Sequence, residues 1–193
     1  NNFFLSLKSK KKNRVKLICV GNIYVGGTGK TTTTIKLNEI LKEMKFNVAV
    51  GKKYYRDQLD EQILLKNRTN VILDRNRNNI IEKAIEFNYD LLIFDDGLQD
   101  KNISYDLELV CFDNENWIGN GQLLPSGPLR EKLYSLKKYD AVFIKNNSKY
   151  SNFNIEMLKK INPEIKVFNT KYRPSNLQSF ETTKKYLIFS GIG

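Results

Sequence analysis

VGNIYVGGTGKT, at residues 20–31, follows the apolar segment 15–20 and precedes a segment with the apolar spacing of a helix. Within residues 37–44, apolar side chains recur at spacings of three and four. A strand, a glycine-containing loop and a helix in this order are what a phosphate-binding loop requires. The sequence therefore predicts a nucleoside triphosphate site at this turn.

The loop supplies the residue types that hold phosphates. We expect the backbone N–H groups of the loop to face an anion, Lys30 to reach the β- and γ-phosphates, and the Thr31 hydroxyl to bind Mg²⁺. The loop residues assigned to the nucleotide are Gly26, Gly27, Thr28, Gly29, Lys30 and Thr31. Tyr24 stands where the strict pattern has its first glycine, so a flexible turn that happens to precede a lysine is the alternative.

Strand-like and helix-like segments alternate along the chain. Eight short apolar runs, typical of buried parallel strands, lie at 15–20, 47–50, 70–73, 91–94, 107–112, 141–144, 165–168 and 186–189. Helical spacing follows the glycine loop and recurs near residues 81–85 and 155–161. We predict an α/β fold of the P-loop NTPase (Rossmann-like) type, with a mostly parallel sheet flanked by helices, over residues 15–193.

Composition excludes several classes of protein. The 193 residues include no histidine, which removes Ser-His-Asp and histidine–metal chemistry, and no apolar run approaches the length of a bilayer span. Cys19 and Cys111 lie in strand-like runs and are expected in the core. The net charge of +11 favours anionic partners, but no aromatic and basic interleaving typical of RNA-binding modules occurs, so no nucleic-acid partner is expected.

The first fourteen residues form a separate segment. Apolar residues at 3–7 precede a cluster of lysine and arginine that extends to residue 16. An apolar anchor beside a cationic cluster favours peripheral contact with an anionic membrane surface. A solvated chain terminus is the alternative.

Acidic residues follow two of the predicted strands. Asp95 and Asp96 end the run at 91–94, where ligands bind in α/β sheets and where carboxylates suit Mg²⁺. Asp60 and Glu61 lie beyond the second strand and could divide proton transfer and metal binding between them. The alternatives are an Asp-Gly turn for the first pair and helix-dipole partners for the second.

Three arginines are candidate phosphate ligands, because a guanidinium binds phosphate oxygens with two parallel hydrogen bonds. They are Arg75, Arg77 and Arg130, and each could equally be an ordinary surface residue. The irregular stretch at 113–129 is long for a compact domain, which indicates a functional loop.

Three sequence blocks occur in a fixed order along the chain: VGNIYVGGTGKT at 20–31, DDGLQ at 95–99 and GNGQLLPSGPLRE at 119–131. With these blocks, the chain resembles the tetraacyldisaccharide 4′-kinase family of lipid A biosynthesis. The resemblance implies a kinase that transfers the γ-phosphate of ATP, with Mg²⁺, to the 4′-hydroxyl of an acylated glucosamine disaccharide 1-phosphate. It also implies peripheral attachment at the cytoplasmic face of the inner membrane.

The resemblance also implies roles for individual residues. Asp60 would be the base, with Lys30 and Asp96 as further catalytic residues. Mg²⁺ would lie near Thr31, Glu61, Asp95 and Asp96. The residues placed around the substrate and its phosphates are Arg75, Arg77, Asn120, Arg130 and Glu131.

Two departures from the family pattern accompany these matches. Leu59 and Gln62 flank Asp60-Glu61 where the family usually has glycine and proline, and Asp100 stands where it commonly has histidine. The chain is expected to be truncated at both ends, without most of the family's N-terminal membrane helix and without the C-terminal part that supplies a histidine.

Two other functions remain open on the sequence. A P-loop ATPase of the partitioning class shares the GGxGKT pattern, although Val25 stands where that class usually has a signature lysine. A non-enzymatic domain that binds polyanions would also explain the positive charge.

Overall fold

The computed structural model describes residues 15–146, 152–173, 177–181 and 183–187. The N-terminal segment 1–14, with its predicted membrane contact, lies outside these residues. One seven-stranded sheet organises the described part of the chain, in the order β3-β2-β4-β1-β5-β6-β7 with every pairing parallel. Its strands are β1 (Lys16–Gly21), β2 (Val48–Lys53), β3 (Val71–Asp74), β4 (Leu91–Asp95), β5 (Leu107–Asp113), β6 (Ala141–Lys145) and β7 (Lys166–Thr170).

Four α-helices connect these strands within the described ranges: α1 (Lys30–Glu43), α2 (Leu59–Arg68), α3 (Arg77–Glu86) and α4 (Asn152–Ile161). Short 3₁₀ helices span Leu133–Lys138 and Leu177–Ser179. The predicted P-loop-type α/β fold is confirmed, as are the three helices predicted from apolar spacing. The strand predicted at 186–189 is not seen at Tyr186 and Leu187, which have no regular structure; the rest of it lies outside the described residues.

The central strands of the sheet are buried on both faces, which explains why β1 and β4 are almost continuously apolar. In β1, Ile18 and Val20 pack with α1 and α2 on one face, and Leu17 and Cys19 pack with α3 and α4 on the other. Alternate residues of a strand point to opposite faces, so a strand covered on both sides needs apolar residues at every position. None of the helices in the described ranges is long and apolar enough to cross a bilayer.

Strand order places the glycine loop at the middle of the sheet. Because β1 pairs with β4 on one side and β5 on the other, the loop after Gly21 emerges between the carboxyl ends of its neighbours. A Cβ atom at Gly21 would lie 2.6 Å from Leu98 Cγ, so the loop leaves the strand where only glycine fits. Ligands of α/β proteins bind at this edge, and the candidate site lies there.

Both cysteines are buried, and burial raises the pKa of each thiol, that of Cys111 to about 12. A thiol reacts as its thiolate, so we expect neither cysteine to react with Ellman's reagent in the native protein at pH 8, and both to react after unfolding in guanidinium chloride. Fast labelling of either residue in the native protein would contradict this packing.

Candidate phosphate-binding site

The glycine loop has the backbone shape of an anion cradle. Gly26 (φ 120°) and Gly29 (φ 82°) adopt conformations that side chains other than glycine rarely take. Inside the loop, the buried Asn22 amide donates to the Thr28 hydroxyl (3.0 Å) and to the Gly26 carbonyl (3.3 Å). Asn22 was not predicted as a site residue, and it holds the loop shape from within.

Lys30 and Thr31 open helix α1 directly after this loop. The Thr31 hydroxyl donates to Asp95 Oδ2 at 3.1 Å, and the Thr34 hydroxyl, one turn within α1, donates to Asp95 Oδ1 at 3.4 Å. The Lys30 ammonium lies 3.9 Å from Asp96 Oδ2. The predicted loop residues and the predicted acidic pair therefore lie together at the ends of β1 and β4.

A buried lysine that was not predicted completes this cluster. The Lys52 ammonium donates to Asp95 Oδ2 at 2.9 Å and to Glu61 Oε2 at 2.5 Å, and its side chain is only 3% exposed. Burial alone would lower the pKa of Lys52, but the charges and hydrogen bonds of Asp95 and Glu61 outweigh it and raise the pKa. Lys52 is therefore a permanent cation between two carboxylates.

Asp96 faces the opposite way from Asp95, because its backbone adopts a left-handed conformation (φ 65°). Its carboxylate accepts from Arg130 Nη1 at 3.2 Å, and its carbonyl accepts from Arg77 Nη2 at 2.6 Å. Arg77 also pairs with Asp100 at 2.9 Å. Adjacent aspartates thus point to different partners, one into the buried cluster and one toward Lys30 and Arg130.

A cavity of about 430 Å³ opens beside these groups. Charged and polar side chains dominate its wall, as expected for a site that accepts a phosphorylated ligand. Its lining residues are Lys52, Lys53, Tyr55, Gln58, Arg77, Asp95, Asp96, Gly97, Gln99, Asp100 and Arg130.

Glu131 supports this wall from behind Gln99. Its carboxylate accepts from the Tyr139 hydroxyl at 2.9 Å and from Gln99 Nε2 at 3.1 Å. Burial opposes ionisation of Glu131, but hydrogen bonds from Lys138, Tyr139 and Gln99 lower its pKa below the ordinary value. Glu131 is thus held as an anion that orients Gln99, which in turn accepts from Arg130 at 3.3 Å.

Other predicted residues lie further from the cavity. Asp60 is exposed in the first turn of α2, next to Glu61, and Arg75 is exposed after β3; neither lines the cavity. Asn120 donates to the Ser126 carbonyl and accepts from the Gln122 N–H, so its amide shapes the loop that ends at Arg130.

The donor set fits Mg²⁺ held jointly by protein and phosphates. In the described residues no group of three or more acidic, cysteine or histidine side chains could hold a metal ion alone. The Thr31 hydroxyl and the Asp95 and Asp96 carboxylates are hard oxygen donors beside the phosphate loop. Mg²⁺ in kinases and ATPases is usually bound by one or two such groups plus substrate phosphates.

A second cavity, of about 730 Å³, lies on the other side of the loop, toward β6 and β7. Thr32 and Thr33 of α1 line it, with Lys145 and Tyr172 from the ends of these strands. The Tyr172 hydroxyl is 2.9 Å from Thr32 Oγ1, and the Lys145 ammonium is 5.5 Å from the Tyr172 ring. An aromatic ring and a cation beside the phosphate loop can receive a planar base and the groups attached to it.

The family model described as tetraacyldisaccharide-1-P 4′-kinase matches residues 1–193. The chain belongs to this family. A tetraacyldisaccharide 4′-kinase from Pelagibacter ubique is 47% identical over 190 residues, covering 97% of this chain and 60% of the relative. The corresponding protein from Shewanella sediminis is 38% identical over 161 residues, covering 74% of this chain and 48% of the relative. The chain thus spans about half to three-fifths of the length of these family members.

Solved structures agree on the fold. A crystal structure of LpxK from Aquifex aeolicus in complex with ATP has a TM-score of 0.61 at 20% identity, covering 95% of this chain and 81% of that chain. Signal recognition particle 54 kDa protein from Aeropyrum pernix, in complex with GDP, has a TM-score of 0.59 at 10% identity, covering 86% and 43%. At such identities these similarities establish the P-loop architecture that the 4′-kinase family shares with other nucleotide-binding proteins.

Proposed function

We propose that this chain is the P-loop part of a tetraacyldisaccharide 4′-kinase, which transfers the γ-phosphate of ATP to the 4′-hydroxyl of an acylated glucosamine disaccharide 1-phosphate. One observation carries the proposal: the three sequence blocks of the family meet at the Asp95-Asp96 pair, which contacts Thr31 and Lys30 from the loop at 20–31 and Arg130 from the third block, beside the cavity of about 430 Å³. A partitioning-class ATPase or a polyanion-binding domain gives the third block no role in this arrangement.

The two cavities lie on opposite sides of the loop, and their positions determine the orientation proposed for ATP. The β- and γ-phosphates lie over the loop N–H groups and Lys30, with the γ-phosphate toward Arg130 and the polar cavity. The nucleoside extends the other way, toward Tyr172 and Lys145. Mg²⁺, when bound, neutralises charge on the phosphate oxygens next to Thr31.

The cationic wall of the polar cavity stabilises the transferring phosphoryl group. Lys30 and Arg130 both lie beside Asp96, so an acceptor that enters the cavity meets two positive charges at the point of transfer. Fixed charges aimed at the developing negative charge lower the barrier without reorganisation during the reaction. Arg77 stabilises the Asp96 backbone that holds this geometry.

Apolar side chains near the polar cavity suit an acylated acceptor. Tyr55 lines the cavity and is 39% exposed, and Leu59, at the start of α2, is 51% exposed. Leu124, in the loop that leads to Arg130, is 56% exposed. A charged pocket with apolar groups nearby matches a phosphorylated sugar carrying acyl chains at the cytoplasmic surface of the inner membrane.

The family resemblance assigns Asp60 as the general base that takes the proton of the acceptor hydroxyl, although in this structure Asp60 is exposed next to Glu61 and does not line the polar cavity. We expect Asp60→Asn to lower kcat by about 10²-fold, because an amide cannot accept this proton, with little change in the affinity for ATP. Steady-state kinetics and ATP titration measure the two quantities, with Asp57→Asn as an exposed acidic control close by. An unchanged kcat for Asp60→Asn would move the base elsewhere, with Asp96 the next candidate because it lines the cavity.

Mass spectrometry of the acceptor tests the function directly. The chain is incubated with ATP, Mg²⁺ and the acylated disaccharide 1-phosphate, and the lipid is extracted and weighed. A gain of one phosphate, located on the non-reducing sugar by fragmentation, is the expected result. Folded protein that binds ATP and leaves the acceptor unmodified would contradict the proposal for this chain.

A further inference from the structure

The Lys52 ammonium occupies an unusual place for a lysine, buried between two carboxylates at the carboxyl edge of the sheet. It lies 2.9 Å from Asp95 Oδ2 and 2.5 Å from Glu61 Oε2. The Asp95 side chain is fully buried, whereas that of Glu61 is 43% exposed. A cation in this position bridges the end of β4 to the first turn of α2.

Bridging two carboxylate oxygens is what a divalent cation does in many phosphoryl-transfer sites. We propose that Lys52 is a built-in cation that fills the position between Asp95 and Glu61, so that the chain binds Mg²⁺ only together with the phosphates of a nucleotide. The inference rests on the proposed function for the nucleotide, but its metal-binding part is measurable without any nucleotide.

The remaining carboxylates of the polar cavity support this inference. Each acidic residue that lines it has a basic partner: Asp95 has Lys52, Asp96 has Arg130 and Lys30, and Asp100 has Arg77. Including Glu61, four carboxylates are therefore matched by four cations. A divalent ion without a nucleotide therefore meets no excess of negative charge in the cavity. An ion bound to a triphosphate is accompanied by the negative charge of the phosphates.

Lys52 is also set apart from its neighbour on the same strand. The Lys53 ammonium lies 5.5 Å from the centre of the Tyr55 ring, whereas Lys52 is directed inward to Asp95. Both lysines line the polar cavity, so a control for charge has to lie outside it. Lys66→Met, at an exposed lysine in the last turn of α2, is the matched control for the loss of one positive charge.

Manganese titration followed by electron paramagnetic resonance tests the inference, since free Mn²⁺ gives a signal that binding broadens. Nucleotide-free wild-type protein is expected to show no specific Mn²⁺ site, and Lys66→Met should behave the same. Lys52→Met and Lys52→Gln are each expected to gain one specific Mn²⁺ site, with an affinity at least about tenfold above the nonspecific Mn²⁺ binding of wild type, because two uncompensated carboxylates remain. A further Glu61→Gln change should remove the gain.

The wild-type titration can still overturn the inference if Lys52→Met fails to fold. Lys52→Gln is a second variant for the same measurement, because glutamine retains a hydrogen-bond donor for Asp95. A specific Mn²⁺ site in nucleotide-free wild type, or folded Lys52 variants without any gain, would overturn the inference. Equilibrium dialysis of Mn²⁺ and ATP with and without the protein distinguishes this result from the proposed function: no uptake of the Mn²⁺–ATP complex by the protein counts against the nucleotide site, not against the role of Lys52.

Discussion

Replacing Lys30 with methionine is expected to lower the rate of phosphoryl transfer about 10³-fold, because the ammonium that neutralises charge on the transferring phosphoryl group is lost. Lys30 begins α1, and its ammonium lies 3.9 Å from Asp96, which lines the polar cavity. Its loss removes the cation without disturbing the glycine loop, whose shape depends on Asn22 and on glycine backbone conformations. The rate is measured as transfer of labelled γ-phosphate to the lipid acceptor.

Lys42→Met is the matched control for this prediction, because Lys42 is an exposed lysine in the last turn of the same helix. It should retain the wild-type rate. Thermal unfolding of both variants checks that the fold is unchanged. A Lys30→Met protein that transfers phosphate at close to the wild-type rate would show that the loop at 20–31 is not the phosphate site.

Replacing Asp95 with alanine is expected to reduce the free energy of unfolding by about 3 kcal/mol, because the buried Lys52 ammonium loses its main counter-charge. The hydroxyls of Thr31 and Thr34 lose their acceptor at the same time. Urea denaturation followed by circular dichroism measures the change. Asp95→Ala should also abolish phosphoryl transfer, since the proposed Mg²⁺ ligands then lack their buried carboxylate.

A double variant distinguishes the loss of the counter-charge from the loss of packing as the cause of the reduced stability of Asp95→Ala. Lys52→Met combined with Asp95→Ala should recover more than half of the lost stability, because no unpaired charge then remains deep in the cluster. Glu39→Ala, at a partly exposed carboxylate that contacts Lys36 and Arg68, should cost less than about 1 kcal/mol. A double variant no more stable than Asp95→Ala would contradict the buried ion pair as the source of the effect.

Short apolar runs separated by segments with helical spacing predicted the seven strands of the described sheet and the glycine loop. The same criterion also predicted a strand at 186–189, which is not seen at Tyr186 and Leu187. Helix α2 was not predicted from apolar spacing, because only Gln62 and Leu65 of its residues are buried while Leu59, Ile63 and Leu64 are exposed. Because most of the apolar residues of α2 face solvent, they do not mark a single buried face from which the helix could be predicted.

The roles of Lys52 and Asn22 could not be predicted from local sequence. Lys52 acquires its role because β2 pairs with β4, which brings the strand end beside Asp95; this pairing is between strands distant in sequence. Asn22 acts through a bend that returns the chain onto Thr28. A lysine at a strand end and a polar residue before a glycine loop are the only signals that the sequence offers for these two residues.

The three sequence blocks of the family predicted which residues lie close together, but not the hydrogen-bond partners of each residue. Asp95 and Asp96 were expected as one acidic pair, yet the left-handed backbone at Asp96 directs the two carboxylates to different partners. Arg77 was expected at a phosphate, and it stabilises the Asp96 carbonyl and Asp100. Such details depend on backbone conformation and on side-chain partners that only the folded chain brings together.

Calorimetric titration of the chain with ATP in the presence of Mg²⁺ tests the central claim most directly, because every step of the proposed function requires the loop at 20–31 to hold a nucleoside triphosphate. We predict saturable binding at one site per chain in the wild-type protein, with loss of most of the affinity in Lys30→Met and none in Lys42→Met. No binding of ATP by the folded wild-type chain, or equal binding by all three proteins, would contradict the account.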